Sequence, residues 1–78
     1  MRFKQLDTVV LDRDLPEAGL RQGDLGAVVN TYEPDGIEVE FVRASGRTQA
    51  LVALRVADVR AVMDEDLISV RPLRRGAA

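Results

Sequence analysis

The sequence predicts a small all-β barrel or sandwich built from five or six short strands. Apolar and β-branched runs recur at intervals of about ten residues, which is typical of such folds. Turns rich in Gly and Pro separate these runs. At 78 residues the chain is expected to form a single domain with a thin core.

The first strand is predicted over residues 8–11 (TVVL), a β-branched run that ends before Asp12. Residues 15–24 (LPEAGLRQGD) contain one proline and two glycines and are predicted to form a long loop. A second strand follows over residues 26–32 (GAVVNTY). The next four residues, 33–36 (EPDG), have the composition of a tight turn.

Residues 37–42 alternate between apolar and acidic side chains, with Glu38 and Glu40 on the acidic face. This period of two indicates a half-buried strand. Together with the preceding strand and turn it predicts a β-hairpin. The two glutamates are expected to be solvated and to pair with arginines across the strands.

The second half of the chain is divided in the same way by turns and polar residues. Its predicted elements are a turn at 44–46, a strand at 48–54, a 3₁₀ or short helical turn at 56–59, an extended return at 60–62 and a last strand at 67–70 (LISV).

A long loop after the first strand, a central meander and a one-turn helix before the last strand indicate an SH3-like barrel. An OB-fold is the second choice, because it usually needs more chain and a fuller helix. We expect residues 1–72 to form the barrel and residues 73–78 to be a flexible C-terminal tail.

Composition excludes several kinds of chemistry. The chain contains no cysteine and no histidine, so thiolate sites and the commonest general base and metal ligand are excluded. We therefore expect no catalytic residue, no metal and no cofactor. The N-terminal sequence lacks an apolar stretch of signal-peptide length, so a cytoplasmic protein that does not bind membranes is expected.

The sequence Gly23-Asp24-Leu25-Gly26 allows two interpretations. It could be a loop whose backbone grips phosphate or RNA. It could also be a turn in which glycine adopts positive φ or admits a close neighbour. The second is favoured, because no helix is predicted to follow and no Lys or Ser/Thr completes a phosphate-binding loop.

Acidic residues cluster in three places, and arginines are concentrated in the second half of the chain. A barrel this small has little room for a cavity of about 300 Å³, so the acidic groups are expected to be solvated surface. The arginines could form a basic patch or serve solubility, and only Tyr32 is available for base stacking. The positions concerned are Asp12 and Asp14, Glu38 and Glu40, residues 64–66, and Arg43, Arg47, Arg55, Arg60, Arg71, Arg74 and Arg75.

The chain up to about Arg60 resembles a family of small bacterial proteins described only as a domain of unknown function. The resemblance implies an SH3-like barrel and a role as the small partner of another protein, as in antitoxin or immunity components, with no catalytic residue to carry over. It rests on residues 6–10 (LDTVV), 15–16 (LP), 19–20 (GL), 23–26 (GDLG), 28–29 (VV), Tyr32, Gly36, 38–41 (EVEF), Leu54 and 57–60 (ADVR).

A glycine before a valine-rich strand is also similar to KOW-type barrels of ribosomal and transcription proteins. The basic residues that accompany this motif in RNA binders are largely missing here. Arg21 is the only cation between Arg13 and Arg43.

The expected function is therefore that of a non-catalytic protein-binding module, such as an antitoxin-like or accessory subunit of a co-encoded partner. Self-association is a further possibility, and a KOW-like nucleic-acid-binding barrel is the alternative function. Loops at the ends of a barrel are the usual binding positions. The expected partner-binding residues are Leu15, Leu20, Arg21, Tyr32, Arg43 and Arg47.

Overall fold

The computed structural model describes residues 1–73 and contains one antiparallel five-stranded sheet. The order of the strands across the sheet is β4-β3-β2-β1-β5. The strands are β1 (Thr8–Leu11), β2 (Leu25–Tyr32), β3 (Gly36–Val42), β4 (Thr48–Arg55) and β5 (Val59–Ala61), and two 3₁₀ turns lie at Pro16–Ala18 and Val56–Asp58.

This architecture confirms the all-β prediction, the long loop after β1 and the meander from β2 to β4. The predicted 3₁₀ turn is also present, at Val56–Asp58. The carboxylate of Asp58 holds this turn by accepting the Arg55 backbone N–H at 2.9 Å. The same carboxylate accepts Arg13 Nε at 2.9 Å, which ties the turn to the end of β1.

The prediction of a last strand at residues 67–70 is wrong. The last strand is β5, which pairs with β1 and places Arg60 opposite Val10. Within the described chain, no backbone-to-backbone hydrogen bond involves residues 67–73. The apolar composition of residues 67–70 is therefore not sufficient for a strand, because a strand also needs backbone hydrogen bonds to a neighbouring strand. Of the predicted flexible tail, residues 74–78 lie outside the described residues.

The main core lies on the inner face of the sheet and follows the period of two along each strand. It is closed at one end by Leu15 and Leu20, which face each other in an isolated bridge within the long loop. The buried members of this core are Phe3, Val9, Leu11, Leu15, Leu20, Val28, Ile37, Val39, Phe41, Leu54 and Val59.

Candidate functional surface

A second apolar row lies on the outer face of the sheet. Val10 points away from the main core, yet only 5% of it is exposed. It pairs with Leu25 on one side and with Arg60 on the other. The strand period places Val42 on the same outer face of β3. We call Val10, Leu25 and Val42 the outer row.

The C-terminal segment lies over the outer row. We call residues 67–73 the strap, because these residues line one cavity together with the outer row and Arg60. Three apolar side chains of the strap face water, with 90% of Leu67, 63% of Ile68 and 97% of Val70 exposed. The strap thus lies over Val10 and Leu25, whereas Val42 remains 58% exposed, and the strap presents apolar side chains of its own to water.

An arginine–aspartate pair fixes the segment just before the strap. Arg60 Nη1 and Nη2 donate to the two oxygens of Asp66, each at 2.9 Å. The Met63 backbone N–H donates to Asp66 Oδ2 at 2.7 Å, which closes a turn. The Arg60 hydrogen bonds, with that of Met63, lower the pKa of Asp66 to about 2.

A second arginine–aspartate pair fixes the far end of the strap. Arg71 Nε donates to Asp24 Oδ1 at 2.9 Å, and Arg71 Nη2 donates to Asp24 Oδ2 at 2.6 Å. The Arg21 backbone N–H donates to the same carboxylate at 2.8 Å. Partial burial raises the pKa of Asp24, but the Arg71 and Arg21 hydrogen bonds outweigh it and hold that pKa below its usual value. Bidentate pairs of this kind restrict orientation as well as distance.

The space between strap and sheet forms a cavity of about 880 Å³. This space is open to solvent and lies outside the sheet, so it does not test the expectation that the barrel has little room for a cavity. That expectation considered the interior of the sheet, whereas this cavity lies under a segment fixed mainly at its two ends. Its walls include Phe41 and Leu20 from the edge of the core and Arg43 from the β3–β4 turn.

The Gly23-Asp24-Leu25-Gly26 loop is a structural turn. Gly23 has φ +99°, a conformation that side chains of L-residues rarely adopt. A Cβ on Gly26 would lie 2.5 Å from Val39 Cγ1 and 2.8 Å from Phe41 Cε2. One glycine therefore allows the turn and the other allows close packing in the core, as the favoured interpretation predicts. Asp24 between them anchors the strap.

The structure brings together only part of the expected partner-binding set. Leu15 and Leu20 are buried in the core and are not available to a partner, so we remove them from the proposed surface. Arg43 lines the cavity under the strap, and Arg21 lines a groove with Arg71. Arg47 belongs to the same β3–β4 turn as Arg43, whose N–H donates to the Arg47 carbonyl.

Tyr32 is exposed but lies at the other end of β3, opposite Gly36. A strand of seven residues spans about 20 Å. Tyr32 and the β3–β4 turn therefore do not form one continuous surface.

The expected pairing of glutamates with arginines is also wrong. Glu40 is half-buried and accepts the Thr48 hydroxyl at 2.6 Å. The β4 residues opposite Glu38 and Glu40 are Ala53 and Leu51, so β4 offers neither glutamate an arginine directly across the sheet. The cations that form ion pairs in the described chain bind Asp side chains, except for the N-terminal amine, which lies near Glu33.

Among the described residues, the arginines of the second half of the chain do not form a continuous basic patch. Arg60 is bound to Asp66, and Arg55 lies 3.9 Å from Asp35. Arg74 and Arg75 lie outside the described residues.

Within residues 1–73, no group of three acidic side chains is arranged to hold a metal ion. No helix in this part of the chain is long and apolar enough to cross a bilayer.

The sequence contains one signal for the strap. The run Val9-Val10-Leu11 is continuously apolar, and such a run indicates a strand buried on both faces. One face packs on the core, so another segment had to cover Val10. Identifying that segment required the pairing of Asp24 with Arg71, which are 47 residues apart.

Comparison with known proteins places the chain in a family. No curated protein and no solved structure matches it significantly. A family model matches residues 5–61, which include all five strands and end before the strap. The chain therefore belongs to the family described as "Domain of unknown function (DUF4926)".

Proposed function

We propose that this protein is a non-catalytic, SH3-like protein-binding domain that acts as an accessory or antitoxin-like subunit of a larger assembly. The strand order, with a 3₁₀ turn before the last strand, supports the SH3-like description. The proposed binding surface is the strap with the flanking Arg21 and Arg43. The proposed compartment is the cytoplasm, which fractionation of the native cells tests.

One observation carries this proposal: an exposed apolar segment is held in place by charge-assisted hydrogen bonds at both ends. Large apolar side chains usually lie in a core, so an exposed group of them is informative. The exposure of Leu67, Ile68 and Val70 therefore supports a partner that covers them. Because Asp66 and Arg71 are fixed, ordering of the segment does not have to accompany binding, and this lowers the entropic penalty of association. Contiguous exposed apolar groups on a small soluble domain mark interaction sites.

The distribution of cations supports a protein partner over a nucleic acid. Affinity for nucleic acids comes largely from Lys and Arg that neutralise phosphates. Here Arg13, Arg60 and Arg71 each have a nitrogen within 3 Å of an aspartate oxygen, so a phosphate would have to displace a bound carboxylate. The formal charge of the chain is also −2.

The test is co-purification of the tagged, full-length protein from its native cells at physiological salt. The variant Ile68→Asp/Val70→Asp places charge on the strap, and we expect it to lose the protein retained by the wild type. Leu6→Asp is the matched control, because Leu6 is an exposed leucine that lies before β1 and does not line the cavity under the strap. It should retain the partner.

A nucleic-acid titration separates the alternative. The wild type is titrated with mixed RNA and DNA at about 50 mM salt, where phosphate-driven binding is strong. We expect no binding. Two results would contradict the proposed function. One is binding of RNA or DNA that is the same for the wild type and the strap variant. The other is a protein partner that the strap variant still retains.

A further inference from the structure

The strap surface carries opposite charges at its two ends. Asp64 and Glu65 lie in the turn just before the strap, beside Arg60 of β5. Arg43 and Arg47 lie in the β3–β4 turn on the other side of the cavity. The sheet order places β1 and β2 between these two ends. Three interstrand steps of about 4.8 Å separate β5, which precedes the acidic turn, from β3, which precedes the basic turn, by about 14 Å across the sheet.

These four end charges are available to an outside partner. In the described chain, none of Asp64, Glu65, Arg43 and Arg47 forms an ion pair, although Arg43 Nε donates to the amide oxygen of Gln49 at 2.9 Å. The charges between the two ends are already matched, since Arg60 binds Asp66 and Arg71 binds Asp24. The surface therefore has an acidic end, an apolar middle and a basic end.

Such a surface is complementary to itself under a two-fold rotation. Rotation by 180° about an axis through the strap lays the acidic end of one copy on the basic end of the other. It also brings Leu67 of each copy towards Val70 of the other, because these residues lie towards opposite ends of the strap, and removes the most exposed apolar side chains of the strap from water. Isologous contacts of this kind are the commonest way in which identical chains associate.

We propose that the strap surface binds a second copy of this chain and forms a two-fold symmetric dimer. This inference rests on the proposed function, because it names the partner of the same binding surface. Strap packs on strap, and each acidic turn lies against the β3–β4 turn of the other copy.

The test reverses the charges at one end at a time. Variant A is Arg43→Glu/Arg47→Glu, and variant B is Asp64→Arg/Glu65→Arg. Each homodimer then brings like charges together at two places, and we expect its dissociation constant to rise at least about tenfold, which corresponds to about 1.4 kcal/mol. An equimolar mixture of A and B should form a heterodimer, because both contacts are again between opposite charges.

Sedimentation velocity over a concentration series measures these masses, and circular dichroism verifies that each variant is folded. Glu33→Arg/Asp35→Arg is the matched control, because it reverses two acidic charges in the β2–β3 turn at the far end of β3. The control should dimerise like the wild type.

Three results would overturn the dimer. One is a wild type that remains monomeric up to about 1 mM, a concentration well above the dissociation constants of specific complexes. Another is a dimer that neither A nor B weakens, which would point to another surface such as the open edge of β4. The last is a mixture of A and B that stays monomeric. The co-purification experiment separates this failure from that of the proposed function. If the dimer is overturned but Ile68→Asp/Val70→Asp loses a protein that the wild type retains, the proposed function stands without the dimer. If that variant retains the same proteins as the wild type, both proposals fail.

Discussion

At the scale of single residues, Gly26 shows how a small side chain decides packing. It lies on the inner face of β2, where Val39 and Phe41 occupy the space that a Cβ would need. Both neighbours are buried in the core and cannot easily move away. The sequence indicates that this glycine is structural, but only the three-dimensional packing identifies the atoms that require it.

Gly26→Ala is expected to destabilise the protein by about 1–3 kcal/mol, as overpacking of a core commonly does. Urea unfolding monitored by circular dichroism measures the free energy of unfolding. Gly36→Ala is the matched control, because there the nearest atom to the new Cβ is the Tyr32 carbonyl oxygen at 3.3 Å. A loss for Gly26→Ala no greater than that for Gly36→Ala would contradict the packing argument.

At the scale of elements, the strap depends on carboxylates and not on backbone pairing. Asp66 and Asp24 each accept two hydrogen bonds from one guanidinium and one from a backbone N–H. Protonation of either carboxylate removes its charge and weakens these bonds. The attachment of the strap should therefore depend on pH.

The pKa of Asp66 is about 2 in the folded protein and near 3.8 when the group is free. A lowered carboxylate pKa contributes stability above the free value, and this contribution is lost as pH falls through the folded value. The contribution of Asp66 to holding the strap should therefore be complete above about pH 4 and should weaken as the pH falls towards about 2. The NMR shift of the Met63 amide, which donates to Asp66, should titrate with a midpoint near 2.

Arg60→Gln removes the main cause of this lowered pKa, so it should move the midpoint upward towards the free value. An unchanged midpoint in Arg60→Gln would show that the guanidinium does not control Asp66. The Asp7 carboxylate is an internal reference, because its pKa is lowered mainly by the Lys4 backbone N–H and should not respond to Arg60→Gln.

At the scale of the whole molecule, the sheet and the strap are separable layers. The family match covers residues 5–61 and thus contains the complete sheet. The strap adds a cover over Val10 and Leu25 without joining the ladder of strands. The core should consequently fold without the strap, although with lower stability.

A chain that ends after Val62 is expected to keep the circular dichroism spectrum of the sheet and to lose about 1–3 kcal/mol of stability, since Val10 becomes exposed to water. Urea unfolding measures the difference. A chain that ends after Leu73 is the control, because it keeps every contact that fixes the strap among residues 1–73. Complete unfolding of the shorter chain would show that the strap belongs to the folding core.

Much of the candidate surface could not be predicted from the sequence, because contacts between distant segments decide which of its residues are exposed. Leu15 and Leu20 were expected on a binding loop because they lie between turn residues, but they face each other and close the core. Residues 67–70 were expected to be a strand because of their composition, but β5 already pairs with the free edge of β1. In both cases, contacts between distant segments overrode the local pattern.

The sequence by itself determined the fold class, four of the five strands to within about one residue, and the 3₁₀ turn, because periodicity and turn residues act locally. It also determined the structural role of Gly23-Asp24-Leu25-Gly26. Only the tertiary structure decided where the strap lies and which charges remain free. Those outcomes depend on pairs such as Asp24 and Arg71, which are remote in sequence and become neighbours only when the sheet has formed.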